Sequence, residues 1–191
     1  MRKSLPMSEY VALLRGINVG GNNLIKMTAL KACLDADGLE NVVTYIASGN
    51  VLFSARASES ERLVSRIERV LQKTFDYPAS VVLRTLKQMS DVVTRAPKGF
   101  GKSPAKYRYD VVFLKGPLTA LAAAKEVPSR PGVDELHAGM GVLYNSRLIS
   151  RASESRFSKI VSMPMYKSMT IRNWNTTTKL LEMMKEREAE S

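Results

Sequence analysis

Three polar stretches interrupt otherwise apolar runs, and they are the places where side chains of this chain could do chemistry. Arg15, Gly16, Ile17, Asn18, Val19, Gly20 and Gly21 follow an apolar run. Glycine amides there can turn toward an anion while Arg15 supplies charge and a planar fork, so a phosphate or carboxylate is the natural guest. Ser48, Gly49 and Asn50 sit between two β-rich runs. Further on, Arg151, Ser155, Arg156, Lys159, Arg172 and Asn173 offer four cations and hydrogen-bonding groups. Each stretch has a plainer reading too. The glycines and asparagines suit turns, Asn173 or Asn175 suits a helix cap, and the basic side chains suit a solvated face.

Standard signatures are missing. The 16–21 segment has neither the spacing of a dinucleotide loop nor the lysine of a phosphate loop, and Gly101-Lys102-Ser103 lacks the glycine five positions earlier. Ser155 and Lys159 lie one helical turn apart, the spacing of a nucleophile and its base, but that spacing is common on helices and no catalytic residue is assigned. Cys33 and His137 are the only residues of their types, which excludes a Cys/His metal cluster and an internal disulfide. The acidic residues form no obvious pair for acid–base or magnesium chemistry, and no cofactor is implied.

Charge points to partners. The chain has 29 basic and 18 acidic side chains, a net +11, and the excess is uneven: 13 against 9 in residues 1–97, and 13 against 5 in 98–172. Such an excess suits a phosphorylated metabolite, a nucleic acid or simply solvent. With 191 residues, 45% hydrophobic and 25% charged, the chain reads as globular. No run approaches the roughly 18 apolar residues of a membrane span, and the start lacks a signal-peptide core, so a cytoplasmic protein without membrane contact is expected. No oligomeric state follows from the pattern.

The elements that must position these residues are punctuated clearly. Tyr10 to Leu14 reads as a buried strand, and Met27, Leu30, Cys33 and Leu34 as a helix stopped at Asp37-Gly38. Val42 to Ala47 and Val51 to Ser54 make a hairpin. Leu63, Ile67, Val70, Leu71 and Phe75 form one helical stripe, followed by a strand over 79–83 and a helix over 86–94. The order then repeats: strand 109–114, helix 118–125, strands 133–137 and 142–144, helix 154–161, strand 168–171, helix 176–187. Tyr10 and Tyr109 open corresponding strands in this reading, a period of about 99 residues. The expected fold class is therefore α+β: two ferredoxin-like βαββαβ repeats, each an antiparallel sheet covered by helices, plus extra helices. Residues 1–97 are the first repeat, 98–107 a Pro/Gly/Lys linker, and 108–191 the second repeat with a C-terminal helix.

Leu14 to Gly21, Ser48 to Val51, and Arg172-Asn173-Trp174-Asn175-Thr176 closely resemble the hallmarks of the bacterial domain-of-unknown-function family 1697, and the resemblance runs from Tyr10 to about Leu181. It implies a duplicated ferredoxin-like chain and no particular activity.

In the split βαβ topology the Arg15 loop and the Ser48 hairpin share one sheet rim, while the start of the 154–161 helix and the end of the 168–171 strand share another. The leading expectation is an anionic, phosphate- or carboxylate-bearing small molecule in a cleft between the repeats. Arg15, Lys159 and Arg172 would clamp charge, and Asn18, Ser48, Asn50 and Asn173 would orient the ligand, with Gly20, Gly21, Gly49, Arg151 and Ser155 around it. The alternatives are nucleic-acid binding through the basic second half, although one aromatic per sheet is too few for base stacking, and a protein-interaction module without ligand.

Overall fold

The apolar run at the start becomes β1 (Met7–Leu14), whose last six residues are all buried because the strand lies inside a sheet covered on both faces. The structure is a computed structural model and describes residues 7–18, 24–56 and 60–190. β2 (Glu40–Tyr45), β3 (Asn50–Arg56) and β4 (Val81–Thr85) complete the first sheet in the order β2-β3-β1-β4, every neighbouring pair antiparallel. Helices α1 (Met27–Ala36) and α2 (Ser60–Phe75) cross one face. They bury Leu30, Leu34, Leu63, Ile67 and Leu71 against Tyr10, Ala12, Leu14, Val51 and Phe53. Each such leucine or isoleucine contributes roughly 1.5–3 kcal/mol. α1 stops where expected: Gly38 takes φ +85°, its amide bonds Asp35 O at 2.9 Å, and the Leu39 amide bonds Leu34 O at 3.2 Å.

The second sheet repeats the plan with β5 (Tyr107–Leu114), β6 (Asp134–Ala138), β7 (Val142–Leu148) and β8 (Met169–Asn173), ordered β6-β7-β5-β8 and again antiparallel. The protein is thus a mixed α+β chain with two helix-covered, four-stranded antiparallel sheets in βαββαβ-like units. α4 (Ala120–Glu126) starts at Thr119, whose hydroxyl accepts from the Ala122 amide.

One expected helix is absent. Residues 154–161 do not form an α-helix; the chain there makes three 3-10 turns, Ile149–Glu154, Phe157–Ser162 and Pro164–Ser168. The cause is a long-range contact. Asp134 on β6 accepts from Ser155 Oγ at 2.6 Å and from the Arg156 amide at 2.9 Å, fixing an extended backbone at Ser155 where a helix would have to run through. The helix N-terminus expected near Glu154, with its partial positive charge, does not exist.

Two compact units divide the chain, one of residues 1–89 with 180–191, the other of residues 90–179. α3 (Leu86–Thr94) and α5 (Trp174–Ala189) each contribute to both. In the first unit α5 buries Leu180, Leu181 and Met184 and brings Arg187 to Glu9. In the second, Tyr144 donates to Val92 O at 2.7 Å, and burial pushes its hydroxyl up to about 12. The 98–107 stretch buries Phe100 edge-on against Tyr109, Tyr144 and Trp174. No helix among the described residues is long and apolar enough to cross a membrane.

Candidate functional site

The first polar rim holds itself together. The Leu14 amide bonds Gly49 O at 2.8 Å. Asn18, at φ 52°, donates to Ile25 O at 3.0 Å and Ala47 O at 2.9 Å, and its Oδ1 accepts from the Ile25 amide at 2.8 Å. Asn50 is fully buried and donates to Tyr45 O and Ser48 Oγ. Gly49, at φ +74°, has no room for a side chain, since a Cβ there would lie 2.2 Å from Ile17 Cγ2. Arg15 O accepts from the Tyr77 hydroxyl. The loop and hairpin therefore meet as expected, but their carboxamides staple backbone to backbone. Gly20 and Gly21 lie outside the described residues.

The second group divides. Arg151 forks onto Glu154, 2.7 Å at each oxygen, and Arg130 joins them at 3.0 Å. The Arg151 guanidinium holds the Glu154 carboxyl below its usual range. Ser155 is bound to Asp134, and Lys159 is exposed. Arg172, 8% exposed, points to the opposite sheet face from Asn173, as successive strand residues must. Its Nη1 bonds Ile171 O at 2.8 Å. Arg84 repeats this in the first unit, bonding Leu83 O at 2.8 Å and facing Val11 across the ladder as Arg172 faces Val111. Burial lowers Arg84 to about 10, which leaves it cationic at neutral pH. Asn173 Oδ1 caps α5 by accepting from the Thr176 amide at 2.7 Å.

Comparing the two ladders exposes a different site. Tyr10 pairs with Phe53 and Thr85 in the first sheet, and Asp110 pairs with Asn145 and Asn173 at the same place in the second. The offset along the first strand is therefore 110 − 10 = 100, not about 99, and Tyr109 corresponds to Glu9. One residue of slip moves a side chain to the other face. In the first unit the pair is apolar, with Tyr10 and Phe53 stacked 5.6 Å apart. In the second it is a carboxylate and a carboxamide, 5% and 0% exposed, and neither Asn145 Nδ2 nor Oδ1 has a hydrogen-bond partner. Two residues outward, on the same face, Ser8–Ala55 of the first sheet becomes Arg108–Arg147 of the second.

These substitutions lie on the face where the second unit has 3-10 turns in place of α2. At this end of the sheet lies a pocket of about 490 Å³, lined by Arg108, Arg147, Asn173 and Trp174 among others. Its arginines are unevenly matched. Arg108 Nε lies 3.2 Å from Asp110 Oδ2, whereas Arg147 Nε is buried with no hydrogen-bond partner. Asp134, the β6 neighbour of Arg147, turns its oxygens to Ser155 and to the Arg130 and Arg156 amides instead. Of the residues expected from sequence, Asn173 lines this pocket. The sequence analysis missed the others; the signal that would have found them is two polar residues inside β-rich runs, Asp110 and Asn145, at positions apolar in the first repeat. Among the described residues no cluster of three or more His, Cys, Asp or Glu could hold a metal ion.

Burial raises the Asp110 carboxyl above 3.8, and the Arg108 and Arg147 charges oppose that shift only in part. The folded state then keeps the proton to higher pH than the unfolded chain, so stability falls as pH rises from 3.8 through the raised value. Asp110→Asn removes this loss. Its melting temperature should exceed that of the native chain at neutral pH, with a gap that closes as acid protonates Asp110. Parallel melting curves from about pH 4 to pH 7 would contradict it.

The model of a family of proteins of unknown function, DUF1697, matches residues 7–144. A conserved bacterial protein from Streptococcus pneumoniae, known from a solved structure, is similar at 27% identity and a TM-score of 0.80, over 94% of this chain and 99% of that one. No curated protein matches. A match over most of the length, on a duplicated fold shared with that bacterial protein, means that this chain belongs to the DUF1697 family.

Proposed function

We propose that the second unit binds an anionic small molecule, through a phosphate or carboxylate, at the open end of its sheet. The supporting observation is the cross-strand pair Arg108–Arg147. Like charges directly opposite one another destabilise a ladder, and the repeat shows that Ser8 and Ala55 serve the same positions in the first sheet. Of the two buried carboxylates beside these guanidiniums, Asp110 meets Arg108 and Asp134 turns to Ser155 and two backbone amides, and the Arg147 Nε donor is buried without an acceptor. An anion would supply that missing acceptor through a charge-assisted hydrogen bond. Asn173 offers its amide at the same pocket. The lone cysteine and the basic surface fit a cytoplasmic setting, where phosphorylated metabolites are found.

Inorganic pyrophosphate is a suitable probe. It should raise the melting temperature, and calorimetry should show Arg147→Gln weakening it by about tenfold or more, as expected for loss of one charge-assisted hydrogen bond. Arg147→Lys should recover only part, because an ammonium lacks the planar fork. Equal affinity in the native protein and Arg147→Gln would end this reading.

A further inference from the structure

The pocket beside Arg147 is larger than a phosphate group needs. At about 490 Å³ it falls in the range of sites for whole cofactor- or drug-sized molecules, and its walls include Tyr107, Tyr109, Trp174 and Ile149. We infer that the anion bound there is the phosphate of a nucleotide, whose base lies against the aromatic wall of Tyr107 and Trp174. This rests on the anion-binding reading above and adds the class of ligand.

Two features support it. The aromatic wall is fixed before any ligand arrives: Trp174 stands edge-on to Phe100 at 5.0 Å and 90°, Phe100 stands edge-on to Tyr109 at 4.9 Å, and Tyr107 lies 6.0 Å from Tyr109. Gly101, at φ +81°, admits the indole, since a Cβ there would lie 2.1 Å from Trp174 Nε1. Rings held by their neighbours lose little freedom when a flat partner stacks on them. The second feature is polarity around that wall. Lys106 Nζ sits 5.3 Å from the Tyr107 ring centre, and Asn173 and Asn175 line the pocket with groups able to meet ribose hydroxyls or a base edge. Cations, flat rings and carboxamides together are the recognition set for a nucleotide, as a free monophosphate or as one residue of a single-stranded RNA.

Trp174 is the only tryptophan in the chain, so its fluorescence reports on this wall alone. Adenosine 5′-monophosphate should quench it and bind about tenfold tighter than ribose 5-phosphate, the gain of one base stacked on an aromatic ring. By calorimetry, Trp174→Leu should bring adenosine monophosphate down to the ribose 5-phosphate level and leave ribose 5-phosphate unchanged, and Trp174→Phe should restore most of the difference. If Trp174→Leu does not fold, Tyr107→Leu serves the same comparison. A short oligoadenylate distinguishes the source. Tighter, salt-sensitive binding than the monophosphate marks RNA, and equal or weaker binding marks a free nucleotide; both agree with the inference. Equal affinity of adenosine monophosphate and ribose 5-phosphate, both lost in Arg147→Gln, would overturn the nucleotide inference and leave the anion site standing. Failure of pyrophosphate and both phosphates to bind would remove the two together.

Discussion

Arg187→Met is expected to lower the unfolding free energy of the first unit by about 3 kcal/mol, the low end of the range for breaking a buried ion pair. Arg187 Nε lies 2.6 Å from Glu9 Oε2, with side chains 16% and 5% exposed, and Ser54 Oγ donates to the other carboxylate oxygen. Removing the guanidinium leaves Glu9 charged on β1 beneath α5 with only a hydroxyl to answer it. A cavity of about 370 Å³ borders both residues, and water entering it is the reason for taking the low end. The contact joins positions 178 apart in sequence, so the C-terminal half of α5 is part of the first unit's fold. Urea unfolding measures the loss, and the double variant Glu9→Gln with Arg187→Met should regain most of it, because the stranded charge is gone. A single-variant loss under about 1 kcal/mol would mean that the pair is effectively solvated.

Asn145→Leu should move stability in the opposite direction, by about 1–3 kcal/mol in favour of the variant. A carboxamide with no exposed surface and no hydrogen-bond partner at either atom bears the full desolvation penalty, and leucine has the same branching and number of side-chain heavy atoms without the penalty. The first repeat indicates that the position accepts an apolar residue, for Phe53 occupies it there. A higher midpoint in urea with an unchanged slope would identify Asn145 as a residue kept for something other than folding. A variant less stable than the native chain by 1 kcal/mol or more would show instead that the amide has structural partners, such as buried water.

The two variants probe different kinds of polar burial. Glu9 and Arg187 satisfy one another, so their removal harms the fold; Asn145 satisfies nothing within the protein, so its removal should help it. Proteins tolerate the second kind chiefly at functional sites, which is why the open end of the second sheet is the stronger candidate than the first rim. At that first rim Asn18 and Asn50, the residues most suggestive of ligand binding in sequence, bind backbone carbonyls at Ile25, Ala47 and Tyr45.

What the sequence by itself determined were the elements and their repetition. The Leu63, Ile67 and Leu71 stripe, the glycine stop after α1 and the paired β-rich runs are local signals, each carried by residues within a turn or two of one another, so periodicity reveals them. The three 3-10 turns were not legible because Asp134, 21 residues before Ser155, decides that backbone. The candidate site was hidden for the same reason. Matching Tyr10 to Tyr109 looked natural along the chain, but the ladders match Tyr10 to Asp110, and that single step places Asp110, Asn145, Arg108 and Arg147 on one face. Register is settled by hydrogen bonds and packing between strands distant in sequence, so only the tertiary structure could decide which side chains share a surface.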